Sequence, residues 1–120
     1  MKIGKVAVLL SGRGSNFTAM VRDSRRPGAN FSVCLVISDQ KDAPGLRKAA
    51  ARNIPAYCLA LESFSNRESH EREICALLER EGIELVCLAG YMRLVGPVLL
   101  EKFSGRIMNI HPSLLPSCPG

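Results

Sequence analysis

Asn109 and His111 stand two residues apart at the end of an apolar run, in Arg106-Ile-Met-Asn-Ile-His-Pro-Ser-Leu-Leu-Pro116. If residues 106–110 form a β-strand, side chains alternate between its faces and both residues project to one side. A hydrogen-bond donor and a titratable base then face one point, which is the equipment of proton-transfer chemistry. Pro112 disfavours the α region for His111, and Pro116 closes a short non-helical loop. The pair therefore sits where the carboxyl end of a strand meets an ordered turn, a usual place for α/β catalysis. An isolated histidine there would read as a hydrogen-bonded strand cap, whereas its company favours a catalytic role.

A second constellation lies near the amino end, in Ser11-Gly-Arg-Gly-Ser-Asn16. Gly12 and Gly14 allow a tight turn and close approach of an anion, and a helix that follows presents unpaired amides and its positive dipole end. Two glycines after a strand are also compatible with a plain tight connection. The run is neither the full G-x-G-x-x-G fingerprint, because Phe17 stands at the third glycine position, nor a P-loop, because no Gly-Lys-Ser/Thr follows.

The remaining titratable residues point to little chemistry. His70 is flanked by Ser69 and Glu71 on a helix and reads as exposed. Two distant histidines without a carboxylate cluster argue against a metal site. Five cysteines, Cys34, Cys58, Cys75, Cys87 and Cys118, have no CxxC spacing and suggest a reducing compartment, with Cys34, Cys75 and Cys87 in apolar settings where a thiol acts as a small hydrophobe. The net charge of +5 favours anionic partners, but aromatics make up only 5% and none interleave with the densest basic cluster, Arg22, Arg25 and Arg26. Nucleic acid is thus a poor fit, and small anionic substrates are a better one. Charged residues interrupt every apolar run before transmembrane length, so the expectation is a cytoplasmic protein without a membrane partner.

The elements that must position these residues follow from punctuation and periodicity. Strands are expected at 5–10, 32–38, 56–59, 85–89 and 106–110, and helices at 17–22, 45–52 and from Pro97 to about 103. A further helix begins at Ser65-Asn-Arg-Glu68, which fits a capping box, carries Ile74, Leu77 and Leu78 on one face, and stops at Gly82. Asn53 is expected to cap the second helix. Val33-Cys-Leu-Val-Ile37 has the composition of a strand buried on both faces. Strands alternating with helices imply an α/β fold, a Rossmann-like open parallel sheet of about five strands with helices on both faces. The length suits one hydrophobic core.

These motifs together resemble the folate-dependent formyltransferases. Asn109 to Pro116 matches their Asn-x-His-Pro-Ser-Leu-Leu-Pro signature nearly residue for residue, and the Gly-x-Gly-Ser-Asn turn is similar to that of the glycinamide ribonucleotide formyltransferase branch. The resemblance implies a substrate phosphate held by Gly14, Ser15 and Asn16, with Arg13 at a variable position. It implies a 10-formyltetrahydrofolate co-substrate bound by Gly90-Tyr91-Met92-Arg93-Leu94, Arg67 and Asn109. Met92 equally fits a core gap-filler and Arg67 a solvated helix residue.

The resemblance further implies amine attack on the formyl carbon of the folate, with glycinamide ribonucleotide as the amine, in purine synthesis. Asn109 would donate to the oxyanion, and His111, an imidazole with an ordinary pKa of about 6.5, would protonate the departing folate nitrogen. No metal is implied. In the family a carboxylate well after the His-Pro motif tunes the histidine, yet no Asp or Glu follows Glu101 here. Residues 1–120 are accordingly expected to be the N-terminal part of a formyltransferase domain incomplete at its C-terminus, poorly soluble and weakly active alone. Formyltetrahydrofolate hydrolase and methionyl-tRNA formyltransferase share the Asn-x-His-Pro element, and a non-catalytic fragment binding ribonucleotide or folate weakly stays open. The glycine turn argues for the ribonucleotide branch. Oligomeric state is not legible.

Overall fold

The chain is described by a computed structural model over residues 4–11, 15–91 and 95–110, with the backbone alone at Ser15, Asn16 and Ile110. Five strands, β1 (Gly4–Leu10), β2 (Phe31–Ser38), β3 (Ala56–Cys58), β4 (Leu85–Ala89) and β5 (Ile107–Ile110), form one parallel sheet in the order β3-β2-β1-β4-β5. Four helices alternate with them: α1 (Ser15–Ser24), α2 (Pro44–Ala51), α3 (Arg67–Arg80) and α4 (Pro97–Lys102), with a 3₁₀ turn at Leu61–Ser63. The α/β architecture expected from the alternation is present.

Strand alternation sorts the core into two layers. On β1, Ala7 and Leu9 pack with Ile74, Leu77 and Leu78 of α3 and Leu99 of α4, while Val8 and Leu10 pack with Phe17 and Val21 of α1 and Ala49 of α2. Each fully buried Leu, Ile, Val or Phe contributes about 1.5–3 kcal/mol, so both faces of the central strand stabilise the sheet. The alternation slips once in β2, where the pairing jumps from Val6↔Val33 to Ala7↔Leu35. Cys34 is the extra residue, and it and Leu35 both pack towards the α3/α4 layer.

Helix ends follow local chemistry. After α2, Asn53 (φ 61) leaves the helix in the left-handed region, with Asn53 N donating to Ala50 O and Ile54 N to Ala49 O, both at 3.0 Å. The same double closure ends α3 at Gly82 (φ 69), where Ile83 N donates to Leu78 O at 2.9 Å. Helix α1 extends beyond the expected 17–22, and Ser24 Oγ donates to Val21 O at 2.8 Å in its last turn. The capping box is shifted: Asn66, not Ser65, caps α3, its side chain accepting from Ser69 N at 2.8 Å. Glu68 instead pairs with Arg72 one turn later at 3.0 Å.

His70 is the clearest departure from expectation. It is buried, only 3% exposed, with Nε2 donating to Leu59 O at 2.6 Å and its ring edge-on to Phe64, centroids 5.2 Å apart. Its polar neighbours in sequence suggest a solvent face, but the first turn of α3 packs down on the segment leaving β3.

Candidate functional site

Strand order places the site. β1 and β4 are neighbours, yet the chain leaves β1 towards the α1/α2 layer and β4 towards the α3/α4 layer, the switch-point topology beyond whose strand ends α/β folds commonly form a crevice. On one side of this switch point, β1 ends at Leu10, Ser11 is buried, and α1 starts at Ser15. No acidic residue occupies the first turn of α1. With no acid in that turn, the helix dipole favours an anion there.

On the other side, β4 ends at Ala89 and turns at Gly90, whose φ of 74° is readily open only to glycine. Tyr91 is half-buried and packs on the α3/α4 core. Asn109 on β5 is exposed and pairs in register with Leu88, one step before the Ile110↔Ala89 pair that ends the ladder. It shares a register row with Leu88 and Leu9, hence the face on which α3 and α4 lie. Ile107, on the same face, packs against that layer, whereas Met108 on the opposite face is 49% exposed.

Arg67 is the first residue of α3 and is exposed. It lies one helical turn, about 5.4 Å of rise, before Glu71, which reaches the loop after β4. The expected site residues Ser15, Asn16, Arg67, Tyr91 and Asn109 thus all hang from the carboxyl edge of the sheet or from helices that begin there. Gly12, Arg13, Gly14, Met92, Arg93, Leu94 and His111 lie outside the described residues.

Glu71 was not singled out from the sequence. It is 4% exposed; its Oε1 accepts from Leu99 N at 3.1 Å and its Oε2 from Gly96 N. The signal was present in the spacing, since Glu71, Ile74 and Leu78 stand at i, i+3 and i+7 on the buried face, where an acid needs a reason. Around it, burial and then the Glu71 and Glu79 carboxylates push the Cys75 thiol up. Burial alone pushes Cys87, inside β4, up to about 11. Such thiols stay protonated near neutrality and behave as core hydrophobes. Among the described residues no group of three His, Cys, Asp or Glu side chains is placed to hold a metal, and no helix is long and apolar enough to cross a membrane.

Residues 4–120 match the family model described as formyl transferase. The phosphoribosylglycinamide formyltransferase of Bacillus subtilis (strain 168) is 41% identical over 116 residues, which is 97% of this chain and 60% of that protein. Among solved structures, phosphoribosylglycinamide formyltransferase from Brucella melitensis superposes with a TM-score of 0.89 at 41% identity, covering 99% of this chain and 62% of that one. Glycinamide ribonucleotide transformylase 1 from Geobacillus kaustophilus gives 0.88 at 40% identity, with 98% and 63% covered. The chain therefore spans about three-fifths of the length of these relatives.

Proposed function

We propose, because this chain belongs to the formyl transferase family, that the carboxyl edge of its sheet serves transfer of a formyl group from 10-formyltetrahydrofolate to the amine of glycinamide ribonucleotide. The observation that carries this reading is the placement of Asn109 near the end of β5, in register with Leu88 of β4, whose other neighbour β1 leads into α1, a helix with no acid in its first turn. A small phosphorylated amine and a folate can then approach one polar side chain from two sides of the crevice. Partners are these two small molecules, without nucleic acid or membrane, in a cytoplasmic setting.

Each residue has a distinct task in this reading. Gly14, Ser15 and Asn16 hold the ribonucleotide phosphate at the start of α1, where the dipole favours negative charge. Tyr91, Met92, Arg93, Leu94 and Arg67 bind the folate, and the half-buried ring of Tyr91 suits contact with a flat heterocycle. Asn109 touches the formyl group and donates to the oxygen that becomes negative as the amine adds. His111 stabilises that charge when protonated and gives its proton to the folate nitrogen as the tetrahedral intermediate collapses. Tight positioning of two bound substrates supplies much of the acceleration, and no covalent enzyme intermediate is required.

The test is the rate of formyl transfer by the full-length protein. Asn109→Ala and His111→Ala are each expected to lower turnover about 10²–10³-fold with ribonucleotide binding intact. Undiminished turnover in either variant would remove that residue from the chemistry. Formate release without transfer, independent of ribonucleotide, would instead identify a formyltetrahydrofolate hydrolase.

A further inference from the structure

We propose that Glu71 is a positioning residue for the formyl-donor side of the site: from α3 it fixes the loop between β4 and α4, and so holds Tyr91 in place relative to Arg67. This rests on the functional reading above, which assigns both of those residues to the folate.

The local chemistry of α4 creates the need. The helix has six residues, too few to be stable alone, and its N-cap Gly96 has no side chain with which to cap it. Pro97 brings no N–H, so the amides needing a partner at the start are those of Gly96 and the residues after Pro97. Glu71 supplies acceptors from another helix, one carboxyl oxygen to Gly96 N and the other to Leu99 N. A buried carboxyl without such bonds would be strongly unfavourable, and one making two of them is held in a single orientation.

Gly96 is fitted to this contact. A Cβ there would meet Glu71 Oε1 at 3.0 Å, Oε2 at 3.1 Å and Cδ at 3.2 Å. The backbone at Gly96 (φ −93, ψ −177) is one that any residue adopts, so a side chain there would crowd the carboxylate rather than strain the chain. Of the described residues between β4 and α4, Gly90 makes the turn, Tyr91 and Val95 pack on the α3/α4 core, and Gly96 meets Glu71. On the preceding residue of α3, His70 Nε2 donates to Leu59 O, where the chain leaves β3. Two consecutive buried side chains thus tie one helix to the exit of β3 and to the start of α4, with Arg67 a turn ahead of both.

The experiment measures the Michaelis constants of both substrates in the full-length protein with Glu71→Gln, Gly96→Ala and the double variant. Glutamine keeps the side-chain length but loses the charge and one acceptor, so the donor KM is expected to rise about tenfold while the ribonucleotide KM stays within about twofold. Gly96→Ala should act in the same direction by displacing the carboxylate, and the double variant should be no worse than Glu71→Gln, because both changes break one contact. Lower melting temperatures with both KM values unchanged would overturn the proposal, as would an equal rise in both. If Glu71→Gln does not fold, Gly96→Ala decides by the same criterion.

Amide exchange separates failure of this proposal from failure of the functional reading. If the wild-type protein transfers no formyl group, exchange in Glu71→Gln still reports on the loop. Faster exchange at Gly96, Leu99 and Tyr91 together supports the coupling, and acceleration confined to Gly96 and Leu99 overturns it.

Discussion

At α4 the amides of Gly96 and Leu99 are taken up by Glu71 from a neighbouring helix, whereas the first turn of α1 carries no acidic side chain. Both helices begin beside the same crevice, one after β4 and one after β1. Their difference divides the crevice by charge. The dipole at the start of α1 favours a negative group, while the start of α4 is already met by Glu71. Among the described residues the β4 side offers the half-buried ring of Tyr91, which suits a flat partner. On the function we propose, a phosphate at α1 and a heterocycle at the β4 side fit this asymmetry.

Removing the internal carboxylate breaks the comparison most severely. Glu71→Ala leaves two amides without their acceptor, and a stability loss of about 2–4 kcal/mol is expected in urea unfolding. A loss below about 0.5 kcal/mol would mean that water replaces Glu71 there at little cost, and the contrast with α1 would lose its energetic basis.

The smallest effect, absent at neutral pH, concerns the strand beneath both loops. Cys87 has a folded-state pKa of about 11 against an ordinary 9.0, because burial disfavours its thiolate. The stability it lends is fully present below pH 9.0 and is lost as pH rises through about 11, since the unfolded chain ionises first. Replacing Cys87 with Ala should flatten the fall in melting temperature across that window. An unchanged fall would show that other groups govern alkaline unfolding.

Much of the fold was legible because its signals are local. Apolar runs of strand length, glycines and asparagine at helix ends, and Pro97 at a helix start place β1 to β5 and the four helices within a few residues of where they lie. The strand order also fits the alternation, since parallel neighbours need crossover helices. What escaped depends on contacts between elements distant in sequence. His70 is surrounded by polar neighbours along the chain, and its burial is decided by Leu59 and Phe64 packing on it. Ser65 and Asn66 both satisfy the chemistry of a helix cap, and the backbone geometry selects Asn66. The bulge at Cys34 has no local marker, because no glycine or proline stands there.

The candidate site rests on motifs, and its support lies outside them. Asn109, Tyr91 and Arg67 were recognised from the resemblance, and the sheet topology gives them a shared edge. Glu71 belongs to no motif, yet its position on the apolar face of α3 marks it as a buried acid with a partner to find.

The division of the crevice is tested most directly by placing an acid where α1 lacks one. Initial rates of full-length Asn16→Asp, with each substrate varied in turn, are predicted to show a ribonucleotide KM raised at least about tenfold and a donor KM unchanged, through repulsion of the phosphate. The fold should be undisturbed, since an aspartate in a first helical turn is favourable. A rise in the donor KM with the ribonucleotide KM unaltered would contradict the account, because it would put the folate at the helix start that we assign to the phosphate.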